Sequence, residues 1–266
     1  MRVELEKQKL VANLTWRGRP LRIDFSAGSP IAIVLDPHGR QPSFYSVDRM
    51  HAEPLRNKSF VGDVRLGGSC NAELLHWAPH CHGTHTEGIG HILHDRRPVL
   101  ETIDPSPVLA RLVSVEPDNG LIRAKQLRAG RGLGDHSALI LRTLPNPVDK
   151  QWRNYSEQPD YPVLDTDALT WLAGQAVQHL LLDTPSLDRP GDKNLTNHRA
   201  WWGEDDSIPS HGFPPENRSV TEMIFIDDAI PDGEYWLQLE LASIRSDAVP
   251  SRPVIYPVLA NDEPES

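Results

Sequence analysis

Cysteine is nearly absent from this 266-residue chain. Only Cys70 and Cys81 occur, too few for a disulfide framework, so the expected compartment is the cytoplasm. Long apolar runs are missing as well: nothing approaches the roughly 18 residues that a membrane helix needs. The stretch from Met1 to Thr15 is charged and alternating, without the apolar centre of a signal peptide. Secretion and membrane insertion are therefore unsupported. Basic runs are also lacking. Against 37 Asp and Glu stand 27 Lys and Arg, a net charge of −10, which argues against a nucleic-acid surface. There is no Gly-x-Ser-x-Gly elbow and no Gly-x-x-x-x-Gly-Lys-Ser/Thr loop, so neither an α/β-hydrolase serine enzyme nor an ATP or nicotinamide site is implied. Internal repeats, low-complexity tracts and linkers are missing too. The expectation is one domain over residues 1–266, with a frayed tail at Asp262–Ser266.

What the chain does contain is proline, 24 residues of it, and 38% hydrophobic residues, enough for a core. The prolines predict ordered loops rather than long helices. Short apolar or β-branched runs recur at Leu10–Trp16, Leu21–Phe25, Ile31–Leu35, Leu74–Ala78, Ala110–Val115, Ala138–Leu141, His179–Leu182, Met223–Ile226, Tyr235–Leu241 and Val254–Val258. Their length and composition are those of strands. The good helix signal is Thr166 to Gln178, where Ala168, Leu169, Leu172, Ala173, Ala176 and Val177 share a face and Asp165 can cap the start. With Ala138–Leu141 before it and His179–Leu182 after it, this reads as a βαβ crossover whose two strands are parallel neighbours. The fold class expected is α/β: a mixed, β-rich domain with few helices.

The 12 histidines are unevenly spread. His76, His80, His82, His85, His91 and His94 fall in one short stretch that also holds Cys81 and Glu87, and composition alone does not produce such a cluster. Imidazole, thiol and carboxylate together are the usual ligands of a borderline-soft divalent metal. In an extended segment Cys81, Gly83, His85, Glu87, Ile89 and His91 would share one side. Gly83, Gly88 and Gly90 allow the backbone to bend closely around an ion. The spacing Cys81-x-x-x-His85-x-Glu87-x-x-x-His91 can thus cup a metal, with His91 beyond it as proton donor or acceptor. Cys70, beside Gly67-Gly68-Ser69, reads as a small buried residue. Trp201 and Trp202 suit a pocket wall, the core or an oligomer contact equally.

At these residues the sequence resembles the cyclase or kynurenine formamidase-like family of metal-dependent hydrolases, whose pattern is His-x-Gly-Thr-His-x-Asp-x-Pro-x-His. Gly83-Thr84-His85-x-Glu87 and His91 are in register, whereas Cys81, Glu87 and Ile89 stand where the pattern has histidine, aspartate and proline. Further likeness lies in Asp183-Thr184-Pro185-Ser186-Leu187-Asp188, in His198 and Glu222 downstream, in Ile230-Pro231-Asp232-Gly233-Glu234-Tyr235, and in Ile23-Asp24-Phe25-Ser26. The resemblance implies the swivelling β/β/α architecture. It also implies His85, Glu87, His198 and Glu222 as metal ligands, with Glu87 bridging and His91 as general acid/base.

The first ligand is open between Cys81 and His80, with His82 a further option, because Gly83 permits a break in alternation. A thiolate would favour zinc over manganese, so Zn2+ is expected, with Mn2+ the alternative. Thr84 is expected to orient a ligand or backbone group from behind. Asp183 and Asp188 are expected to fix a turn through side-chain-to-backbone bonds. The activity implied is hydrolysis of a small amide, formamide or cyclic amide or ester, as in an arylformamidase, by a homodimer or homotetramer. The alternatives are a catalytically weakened binding or regulatory protein on the same fold, and a metal-dependent cyclase or dehydratase.

Overall fold

A computed structural model describes residues 9–104, 106–128, 133–203 and 214–260. The Asp262–Ser266 tail lies outside the described residues.

Strand composition translates into a sheet that closes on itself. From Ala248–Leu259 the order runs through Gly233–Leu241, Val108–Val115, Ala138–Thr143, His179–Leu182, Ser219–Glu222 and His85–Glu87, and the last of these pairs again with Ala248–Leu259. The hairpin Val11–Trp16/Arg19–Asp24 joins the far end of the same long strand. Mixed α/β, rich in strand and poor in helix, is the class observed. The longest described helix has 8 residues, and no described helix is long and apolar enough to cross a membrane.

The crossover forms as its sequence predicts. Ala138–Thr143 and His179–Leu182 are parallel neighbours, Ala138 opposite His179 and Leu141 opposite Leu182. Both strands are buried on two faces, as parallel strands are. Ala138, Ile140 and Leu181 point into one core with Ile31, Leu237 and Ile255. Leu139, Leu141, Leu180 and Leu182 point into the other, with Ala168, Leu169 and Leu172 of the helix and Trp201 and Trp202. The helix begins where expected, with Asp165 accepting from the amide of Ala168 at 2.8 Å. It ends at Ala173 rather than Gln178. Gly174 is a poor helix former, and the chain must turn there so that Gln178 can reach the carbonyl of Ser137.

Two of the expected strands are not strands. Ile31–Leu35, with Val34 exposed, and the mostly buried Met223–Ile226 run as coil joined by the bridge Ala32–Ile224 and by the amide of Phe225 to the carbonyl of Ile31. The ladder instead stops one residue earlier, at Glu222, because Met223 takes a left-handed φ of +53°. Glu222 therefore closes a strand. Cys70 is exposed, not buried, since its turn lies outside the main sheet.

Candidate metal centre

The motif strand is short, His85–Glu87, and lies between two antiparallel neighbours. One places Glu222 opposite His85; the other places Ala248 opposite Glu87. On both sides the extended backbone gives way to a helical turn, Pro79–Cys81 before it and Ile89–His91 after it. Strict alternation thus holds over only three residues. Gly83 has φ +76°, and a Cβ there would meet Leu35 Cδ2 at 2.6 Å. Gly90 lies against the carbonyl oxygen of Arg97, where a Cβ would come within 2.0 Å. The turn at 79–81 is what brings His80 to the centre.

Around Glu87 the imidazoles converge. His198 Nε2 is 2.8 Å from Glu87 Oε1 and 3.5 Å from Glu222 Oε1, and His85 Nε2 is 3.5 Å from Glu222 Oε2. His80 Nδ1 lies 3.0 Å from the other oxygen of Glu87, with His91 Nδ1 at 3.7 Å. His80, His85 and Glu87 form one set of donor atoms mutually within 4.8 Å, Glu87, His91 and His198 a second, and His80, His91 and Asp247 a third. Cys81 belongs to none of them. Burial raises its thiol pKa, so it stays protonated. His82 turns away, accepting from the amide of Ala78 and donating to the carbonyl of Asp48. The sequence reading gave no role to Asp247, which lies far along the chain from the histidine cluster.

In three of these rings, His198, His85 and His80, the other nitrogen is engaged from behind. His198 Nδ1 donates to Asp188, His85 Nδ1 to the carbonyl of Gly83 at 3.1 Å, and His80 Nε2 to Asp247 at 2.9 Å. This backing by carboxylate or carbonyl fixes the orientation and tautomer of a metal-ligating imidazole. Asp188, read as a turn-fixing residue, does accept the amide of Asn197, but its second oxygen holds His198. Asp183 instead pairs with the buried Lys150 at 2.7 Å and accepts from Thr143. Thr84 donates to the carbonyl of Met223 and accepts the amide of Ile33, pinning the motif beside Glu222. Trp202 stacks on His198 from the core side, with ring centroids 5.6 Å apart.

The chemistry of this donor set suits a divalent cation. His85 Nε2, His198 Nε2 and both oxygens of Glu87 are buried polar atoms without a hydrogen bond, although they lie close together. Such atoms are costly unless something shared satisfies them. The charge balance points the same way. Burial opposes ionisation of His80, but the adjacent Asp247 and Glu87 carboxylates outweigh this and raise its pKa to about 10. Burial likewise opposes charge on His198, and Glu87, Asp188 and Glu222 raise its pKa well above the ordinary value. The carboxylates demand positive charge at this point, and a cation among nitrogen and oxygen ligands supplies it.

Comparison with known proteins agrees with this architecture. The chain is 31% identical to kynurenine formamidase of Bordetella pertussis over 118 residues, 44% of this chain, and spans about half (48%) of that relative's length. It is 26% identical to the Bordetella petrii kynurenine formamidase over 189 residues, 70% of this chain and 80% of the relative. Among solved structures, one described as a potential metal-dependent hydrolase with cyclase activity superposes with a TM-score of 0.60 at 13% identity, covering 86% of this chain and 98% of the other. Isatin hydrolase A from Ralstonia solanacearum gives 0.58 at 15% identity, covering 86% and 91%. The cyclase family model matches residues 21–189, more than half of the chain and including both the histidine motif and the Asp183–Asp188 segment. The chain belongs to the cyclase family.

Proposed function

We propose that the chain is a metal-dependent hydrolase of a small amide, formamide or cyclic amide or ester, acting on a C–N bond other than a peptide bond in its amide form. The observation that carries this is the set of ring nitrogens and carboxylate oxygens converging on Glu87, with the His80, His85 and His198 rings held from behind and the inner atoms of His85, His198 and Glu87 left without hydrogen bonds. The names of the relatives, kynurenine formamidase and isatin hydrolase, support the same reaction class.

In this reading His80, His85, Glu87, His198 and Glu222 would hold a divalent cation, Glu87 turning Oε1 toward His198 and Oε2 toward His80. Cys81 is left out, so the ligands are nitrogen and oxygen alone and the thiolate argument for zinc falls away; the three imidazoles keep Zn2+ first, and the two carboxylates keep Mn2+ second. The chemistry such an ion supplies when bound is acidification of water and polarisation of a carbonyl. His91, 23% exposed in its side chain, faces the open side of the centre and moves a proton between the attacking water and the leaving nitrogen or oxygen. Asp188 and the Gly83 carbonyl keep two of the rings aimed.

Residues 1–266 are taken as one domain, and the two free thiols support the cytoplasm as compartment. Leu55, Val64, Leu66, Leu74, Leu75 and Trp77 are exposed on the excursion that carries the hairpin His51–Pro54/Glu73–His76. Apolar exposure on this scale supports a homodimer or homotetramer, and sedimentation analysis tests it.

The deciding experiment is turnover of a panel of aryl formamides, lactams and lactones by protein stripped with a chelator and then reloaded with Zn2+ or Mn2+. Hydrolysis that disappears on stripping and returns on loading is expected. Substoichiometric metal together with inactivity on the whole panel would favour a binding protein on this fold, and loss rather than gain of water in the product would mark a dehydratase.

A further inference from the structure

One carboxylate stands behind both outer histidines. Asp247 Oδ2 lies 2.9 Å from His80 Nε2 and 3.4 Å from His91 Nδ1, although 167 and 156 residues separate it from them. It arrives there through backbone register. Ala248 pairs with Glu87, and the amide of Gly88 donates to the carbonyl of Asp247 at 3.1 Å. The main chain holds the position, so the side chain is free to act on the rings.

We propose that Asp247 is a positioning residue for His91: it keeps the imidazole proton on Nδ1 and leaves Nε2 as the atom that accepts and returns the proton of the reaction. Its functional weight rests on the hydrolase reading above. His91 Nδ1 faces two carboxylates, Asp247 at 3.4 Å and Glu87 at 3.7 Å. An ionised carboxylate accepts and cannot donate, so the nitrogen facing it must carry the proton. An imidazole locked in this way presents its lone pair at the opposite nitrogen. Glu87 is already turned toward His80 and His198, which leaves Asp247 as the nearer carboxylate for His91. Because the same oxygen also backs His80, one side chain ties a candidate ligand to the candidate acid/base and fixes their relative orientation.

The test reads the ring directly. In zinc-loaded protein labelled with 15N-histidine, in mildly alkaline buffer, two-bond 15N–1H spectra report the tautomer of each imidazole, and His91 is assigned by its loss in His91→Ala. The wild-type ring is expected as the Nδ1–H form. In Asp247→Ala it is expected to revert to the Nε2–H-dominated mixture of a free imidazole, with zinc content unchanged. In parallel, kcat for formanilide should fall about 10- to 100-fold with KM little altered, and Asp247→Glu should recover part of the loss.

A His91 that is Nε2–H or doubly protonated in the wild type overturns the assignment. So does a tautomer unmoved in Asp247→Asn, the variant that preserves shape if the alanine variant fails to fold. Loss of zinc from Asp247→Asn with the His91 tautomer unmoved would place the residue's role at His80 alone and equally overturn it. A wild-type enzyme inert toward formanilide counts against the hydrolase reading on that substrate, whereas the ring spectra still decide the role of Asp247.

Discussion

The two sides of Glu87 are built from the same residue types and behave differently. On the inner side His85, His198 and Glu222 are 0%, 2% and 4% exposed, and their ring nitrogens toward the centre lack hydrogen bonds. On the outer side the side chains of His80, His91 and Asp247 are 23–27% exposed and close a network among themselves. Buried polar atoms left without partners are expensive, so the inner side is shaped for something it must bind. Partly exposed groups that satisfy one another suit proton exchange with what arrives from solvent, here at His91.

The largest effect should come from breaking the residue that joins the sides. Glu87→Ala is expected to lose metal and turnover together, beyond the roughly 10- to 100-fold typical of a partner one layer out; elemental analysis of the purified variant checks this, and full occupancy would show the ligand set to be wrong. His91→Ala should separate the sides. Metal is expected to stay while kcat falls about 10²- to 10⁴-fold, and undiminished turnover would remove His91 from the mechanism. Asp188→Asn tests the inner side from behind, with an expected loss of about 10- to 100-fold in metal affinity, measured by competition with a chromophoric chelator.

The smallest effect at neutral pH sharpens the contrast by means of a histidine that has no carboxylate bonded to it. His179 is fully buried and bonds the hydroxyl of Ser219 at 2.8 Å. Burial lowers its pKa to about 4, and the charge of Asp104 raises it only weakly against that. Its neutral form is the native one, so its contribution to stability is complete above the unfolded value of 6.5 and is lost as pH falls toward 4. The loss over that window is on the order of 3 kcal/mol. Denaturant unfolding between pH 7 and 4 should show this dependence, and His179→Asn should flatten it. The pKa of His80, by contrast, is raised, because the carboxylates beside it outweigh its burial.

Much of the fold is readable from local pattern. The crossover strands, the start of the helix at Asp165 and the hairpin at the N-terminal end follow from period, capping and composition. The failures have local causes. Gly174 stops the helix early, and the left-handed Met223 ends a ladder that the apolar run Met223–Ile226 seemed to begin. Alternation pointed to Cys81, and His80 entered only through a break in it at Gly83, because a helical turn beside a short strand leaves no trace in period-two spacing. Asp247 had no signal at all, being set among Ser246, Ala248 and Val249 without a neighbouring ligand type.

By itself the sequence determined that the chain is a β-rich α/β protein with a cluster of imidazoles and a carboxylate at metal-binding spacing, because composition and period are local properties of the chain. Only the tertiary structure decided which histidine faces inward, that Glu222 lies opposite His85, and that Asp247 stands behind His80 and His91. Those choices depend on strand register and on turns between segments far apart in the chain, and a register shift of one residue would carry each of these side chains to the other face of the sheet.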